Sequence, residues 1–91
     1  MTADEQWVDQ AVAGPGGAMT DEVGVITGDL TLRTTARAGG RALVEIQYTG
    51  AEEWYRLTAG PHRLAGSPHA QHLAALAEVR AGYRVQEQHG G

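Results

Sequence analysis

Three histidines lie close enough in the sequence to suggest a metal site: His62, His69 and His72. Residues at positions i and i+3 of a helix lie on one side of it, so His69 and His72 would present two imidazoles together. A structural zinc site takes four protein ligands, and the chain has no cysteine to supply one. These three histidines are the candidate metal ligands. Because a fourth ligand is missing, we expect no bound metal, and we expect no cofactor.

Residues for nucleophilic catalysis are scarce. Ser67 is the only serine in the chain, and Ser67-Pro68 is the pattern of a helix N-cap followed by proline in the first turn. Glu52 and Glu53 lie in a predicted turn, where no pocket shields a carboxylate from water and tunes it for acid–base work. We predict that the protein is not an enzyme.

Residues Gly90-Gly91 resemble the C-terminus of ubiquitin-like sulfur carriers. In that family a tail without side chains threads into the activating enzyme, which adenylates the last glycine. The resemblance covers two residues and implies a carrier function as one alternative. That family also places a helix between its second and third strands, whereas the strands predicted next follow one another without a helix.

Three runs in the middle of the chain alternate apolar and polar residues, as half-buried strands do. The runs are Leu30 to Arg37, Arg41 to Thr49 and Trp54 to Ala59. An Ala38-Gly39-Gly40 loop sets Leu32 opposite Ile46. A two-residue loop would instead turn one strand to the wrong side. The sequence thus predicts an antiparallel meander with its even-numbered side chains in the core.

The same kind of reasoning extends the meander at both ends. The connection after the second run is expected to pair Tyr48 with Tyr55. Val23 to Thr27 is a short β candidate, and the Gly28-Asp29 turn folds it back beside Leu30 to Arg37. The predicted sheet has three to four strands.

Two helices are expected beside this sheet. A capping-box pattern at Thr2 and a Gly14-Pro15 stop signal predict a helix over Ala3 to Ala13. Trp7, Val8, Ala11 and Val12 recur at helical spacing and are its expected core residues. Ser67 caps a second helix that ends near Ala81. With both helices packed on one face of the sheet, the fold class is α+β.

Residues 1–85 form one predicted α+β domain, with Gly14–Thr20 as a flexible connection and residues 86–91 as a mobile tail. No apolar run approaches the ~20 residues of a membrane span, and the first residues do not form a signal peptide. We therefore expect a cytoplasmic protein with no membrane contact.

The order helix, antiparallel strands, helix resembles that of double-stranded-RNA-binding domains. The resemblance implies a phosphate grip by lysines at the start of the second helix. Here those positions hold Pro68, His69 and His72, and the chain has a net charge of −4. We do not expect nucleic acid as a partner.

The polar side of the meander is the predicted binding surface, because it combines an aromatic anchor with guanidinium groups, as protein interfaces often do. Its residues are Trp54, Arg33, Arg56, Leu43, Glu45 and Gln47. We expect a protein partner or a second copy of the chain in a homodimer. A small-ligand site between sheet and helices, around Tyr48, Tyr55 and His69, is another alternative.

Overall fold

The computed structural model describes residues 5–58 and 66–83, and these form six strands and one α-helix. In chain order they are β1 (Gln6–Val12), β2 (Ala18–Thr20), β3 (Gly24–Ile26), β4 (Asp29–Arg37), β5 (Arg41–Tyr48), β6 (Tyr55–Arg56) and α1 (Pro68–Ala81). Strands β1, β4, β5 and β6 form an antiparallel sheet in that order, and β2 pairs with β3. The α+β class and the antiparallel sheet are confirmed.

The register of β4 and β5 agrees with the prediction. Leu32 lies opposite Ile46, and one 3₁₀ turn, Ala38–Gly40, joins the two strands. Gly39 and Gly40 have φ angles of 78° and 77°, which glycine adopts without steric cost. Leu32 is 1% exposed and Ile46 is 0% exposed, so the even-numbered side chains point into the core. We call this side of the four-stranded sheet the inner face and the opposite side the outer face.

The predicted N-terminal helix is wrong, because Gln6–Val12 is strand β1. All seven residues pair with β4, with Trp7 opposite Thr34 and Val12 opposite Asp29. Its apolar residues, Trp7, Val8, Ala11 and Val12, follow a helical period and do not alternate with polar residues. A short helix in water is marginal, whereas β4 offers hydrogen-bond partners along the whole strand.

The predicted fourth strand pairs with a different neighbour. The strand β3 (Gly24–Ile26) lies beside β2 and not beside β4, because β1 occupies that edge of β4. The β2–β3 hairpin lies at the opposite edge of the sheet, next to β6. There Thr20 pairs with Leu57 in an isolated β-bridge, and the Thr58 N–H donates to the Met19 carbonyl at 3.0 Å.

The second connection of the meander is longer than predicted. Ile46 lies opposite Tyr55, so the predicted pairing of Tyr48 with Tyr55 is wrong by two residues. A shift of two residues keeps each side chain on its expected face, since side chains alternate with a period of two. Tyr55 therefore still packs against the core.

The C-terminal helix is confirmed. The Ser67 hydroxyl accepts the Ala70 N–H at 3.1 Å, and the helix ends at Ala81 before Gly82. Helix α1 packs across β1, β4 and β5 on the inner face. Its buried residues join side chains from β2 to β5 and from Leu57 in one core. The members of this core are Ala18, Ile26, Leu30, Leu32, Val44, Ile46, Leu57, Ala75, Leu76 and Val79.

The glycine-rich segment after β1 packs against the end of α1. The Gly14 N–H donates to the Val79 carbonyl at 2.9 Å, and the Tyr83 N–H donates to the Gly17 carbonyl at 2.7 Å. A Cβ atom on Gly82 would overlap the Pro15 carbonyl oxygen. The predicted connection Gly14–Thr20 thus contains strand β2 and backbone contacts to the helix. The predicted tail, residues 86–91, lies outside the described residues.

Candidate binding face

The outer face brings the predicted interface residues onto one surface. Strand register places side chains of four strands there, and α1 packs on the opposite side. The residues of the outer face are Gln6, Val8, Gln10, Val12, Asp29, Thr31, Arg33, Thr35, Arg37, Arg41, Leu43, Glu45, Gln47 and Arg56, with Trp54 just before β6. The predicted interface residues therefore share one side of the sheet.

Arg33, Glu45 and Trp54 form a cluster at the centre of this face. The Arg33 Nη2 and Nε atoms donate to Glu45 Oε1 at 2.8 and 3.2 Å. The guanidinium carbon of Arg33 lies 3.9 Å from the centre of the Trp54 ring, within the range of a cation–π contact. The ion pair and the ring together hold the guanidinium in one orientation.

The other predicted interface residues surround this cluster in different ways. Arg56 lies opposite Glu45 in the strand register, and Leu43 is half-buried. Gln47 is only 8% exposed, and its amide donates to the Ala51 carbonyl at 2.9 Å. Gln47 therefore ties β5 to the following loop and offers little surface to a partner.

Hydrogen bonds between side chains tie the rest of the outer face together. The hydroxyls of Thr31 and Thr49 lie 2.9 Å apart, and Thr49 donates to Asp29 Oδ1 at 2.8 Å. The Gln6 amide donates to the Thr35 hydroxyl at 3.1 Å. Cross-strand bonds of this kind fix neighbouring side chains relative to one another.

Two valines of β1 complete the face, and the sequence reasoning missed both. Val8 and Val12 are 54% and 67% exposed. The helical assignment put them on a core stripe with Trp7. The strand sends Trp7, Asp9 and Ala11 to the inner face instead. The sequence carries no alternating strand signal here, because the apolar residues stand in two adjacent pairs, Trp7-Val8 and Ala11-Val12.

A polar array crosses the inner face around His72. Its Nδ1 lies 2.7 Å from the Thr34 hydroxyl oxygen, and its Nε2 lies 2.8 Å from Asp9 Oδ2. With the proton on Nε2, the ring donates to the carboxylate and accepts from the hydroxyl. Thr34 is 0% exposed, so this hydroxyl is out of reach of a substrate. The array fastens α1 to β1 and β4.

His69 also contacts β1. Its ring stacks on Trp7 with centroids 5.3 Å apart and an angle of 16° between the planes. Within residues 5–58 and 66–83 no three His, Asp or Glu side chains come together as a metal site would require. His62, the third candidate ligand, lies outside the described residues. His69 and His72 are thus engaged with neighbours in the fold.

The residues of the alternative ligand site lie over different strands, with β4 between them. Tyr48 and Tyr55 belong to β5 and β6, whereas His69 stacks over β1. The Tyr55 hydroxyl donates to Glu53 at 3.0 Å. This hydrogen bond and the nearby negative charge raise the pKa of Tyr55 above its usual value. Gly90 and Gly91, the alternative carrier terminus, are not among the described residues.

No helix in the described parts of the chain is long and apolar enough to cross a membrane. In comparisons with known proteins, no protein-family model, curated protein or solved structure matches this chain.

Proposed function

We propose that this chain is a small, non-enzymatic binding protein of the cytoplasm that docks a partner protein on its outer face. The observation that carries the proposal is the fixed cluster of Arg33, Trp54 and Glu45 at the centre of that face. Tryptophan and arginine are the residue types most enriched among those that dominate binding energy at protein interfaces.

Preorganisation of the cluster supports this role. A free arginine loses side-chain entropy when a partner immobilises it, and that loss weakens binding. The Arg33 side chain is 27% exposed and already held by Glu45 and the Trp54 ring. Folding has therefore already removed part of the Arg33 side-chain entropy that would otherwise be lost when a partner binds.

The surroundings of the cluster suggest the chemistry of the partner. Arg33 uses Nε and Nη2 on Glu45, and in the described part of the chain no acceptor binds its Nη1, which can take one from a partner. Arg56 lies in the same row, and Val8 lies opposite Arg33 on its other side. A partner surface with a carboxylate next to an apolar side chain matches this row of charge and exposed valine.

The experiment first captures a partner protein from the native cell by crosslinking. It then measures the affinity of that partner for two variants, Trp54→Ala and Val23→Ala. Trp54→Ala should weaken binding by about tenfold or more, because it removes the aromatic support of Arg33. Val23→Ala is the matched control, since Val23 is 52% exposed but lies outside the four-stranded sheet. Equal binding of Trp54→Ala and the unaltered chain, with both folded by circular dichroism, would overturn the proposal.

A further inference from the structure

Among residues 5–58 and 66–83 no strand pairs with the outer edge of β1, which we call the open edge, and the backbone of β1 shows which groups face outward. The Ala36 N–H donates to the Glu5 carbonyl, and the Ala13 N–H donates to the Gly28 carbonyl. In an antiparallel pair only alternate residues exchange hydrogen bonds, so the odd-numbered residues of β1 bond to β4. The N–H and C=O groups of Val8, Gln10 and Val12 therefore point away from the sheet.

This edge has little of the usual protection against pairing with another strand. Natural edge strands carry lysine, proline, a bulge or an inward-pointing charge, or they are very short. Strand β1 has seven residues, contains no lysine or proline, and pairs with β4 without a bulge. Its one inward-pointing charge, Asp9, is bound to His72. Two of its outward backbone positions carry exposed valines, Val8 and Val12.

We propose that β1 pairs with β1 of a second copy in an antiparallel, two-fold arrangement centred on Gln10. This arrangement goes beyond the docking face proposed above and does not depend on it. The outward backbone groups require even-numbered residues to bond with even-numbered residues. Every register centred on a residue meets that condition, but only the centres Val8, Asp9 and Gln10 pair five or more of the seven residues of each strand.

Side-chain chemistry selects one of these three. A centre at Asp9 sets two carboxylates directly opposite each other, which is destabilising. A centre at Val8 pairs the two Val8 side chains but leaves Val12 without an apolar neighbour. The centre at Gln10 sets each Val8 opposite Val12 of the second copy, Gln10 opposite Gln10, and Asp9 opposite Ala11. Only this register gives every valine an apolar partner and keeps the carboxylates apart.

Helix α1 supplies an independent observation. Leu73 is 52% exposed although it is a leucine on a packed helix. It lies one turn after His69, which stacks on Trp7 of β1, so Leu73 is on the flank of α1 nearest the open edge. Two copies joined through β1 carry both helices on the same side of the sheet. The two Leu73 side chains then face each other across the two-fold axis.

Disulfide trapping tests the register, because the natural chain contains no cysteine. In the proposed dimer the Gln10 Cα atoms are about 5.5 Å apart, within disulfide range. The two Val8 positions are offset by four residues, or about 13 Å. Mild oxidation should therefore crosslink Gln10→Cys and leave Val8→Cys without a crosslink. Crosslinking of Val8→Cys alone, or of neither variant, would overturn the proposal.

Hydrogen exchange and sedimentation test the pairing without a covalent bond. The amides of Val8, Gln10 and Val12 should gain protection as concentration rises, while those of Trp7 and Asp9 stay protected throughout. Val12→Lys should weaken the dimer by about tenfold or more, whereas the shape-matched Val12→Thr should change it less. A monomer at every accessible concentration, with the even-numbered amides always exchanging fast, would refute the pairing.

Discussion

At the scale of the residue, His72 shows how one buried side chain can join three elements. It belongs to α1 and contacts Thr34 of β4 and Asp9 of β1 through its two ring nitrogens. His72 is 1% exposed and Thr34 is 0% exposed, so Nδ1 could not exchange its partner for water without opening the core. The i, i+3 spacing of His69 and His72 suggests a pair of metal ligands. The same spacing also directs both histidines of the helix toward the sheet, where His72 binds Thr34 and Asp9.

His72→Ala should lower the free energy of unfolding by about 2–4 kcal/mol, because it leaves a cavity and an unpaired Thr34 hydroxyl. Urea unfolding monitored by tryptophan fluorescence gives this value. His69→Ala is the matched control on the same helix, and it should cost less than about 1 kcal/mol, since it removes only an exposed ring stack. Equal losses in the two variants would contradict the structural role of His72.

At the scale of the element, the end of α1 depends on the glycines that pack against it. Gly82 has a φ angle of 94°, and its missing Cβ leaves room for the Pro15 carbonyl. Gly14 similarly sits close to the Arg80 carbonyl. Close backbone contact of this kind explains why glycine occupies these two positions, and the composition of the chain alone does not reveal it.

Gly50 offers a comparison that separates backbone conformation from close contact. It has a φ angle of 88°, but a Cβ there would meet nothing within 4 Å. Gly50→Ala should therefore cost about 1–2 kcal/mol from the positive φ angle alone. Gly82→Ala should cost at least about 1 kcal/mol more, because the backbone of Pro15 must also move. Thermal unfolding of the two variants decides this, and equal melting temperatures would contradict the packing described.

At the scale of the whole molecule, local patterns predicted the fold better than distant pairings did. The β4–β5 register follows from a three-residue loop and from alternation on both sides of it. That alternation also identified Arg33, Glu45 and Trp54 as neighbours on one face. The pairing of β1 with β4 joins residues such as Gln6 and Thr35, 29 positions apart, with a hairpin between them. No local signal in β1 specifies that partner, so the capping-box pattern favoured a helix.

The same limit applies to parts of the candidate site. Gln47 was expected on the open surface. The loop after β5 is longer than expected and places the Ala51 carbonyl where it accepts a hydrogen bond from the Gln47 amide. Val8 and Val12 were expected in the core because a helical period was assumed. Both outcomes depend on which segments meet in space, and a single sequence shows that only indirectly.

The pairing of β1 with β4 underlies the outer face, the His72 array and the open edge, and nuclear magnetic resonance tests it directly. In the described register Val8–Arg33 and Gln10–Thr31 are the pairs without mutual hydrogen bonds. Their Cα atoms should lie about 4.5 Å apart, which gives strong Hα–Hα cross-peaks. We expect both cross-peaks in the nuclear Overhauser spectrum. Sequential helical contacts across residues 6–12, with no cross-peak to β4, would contradict the account.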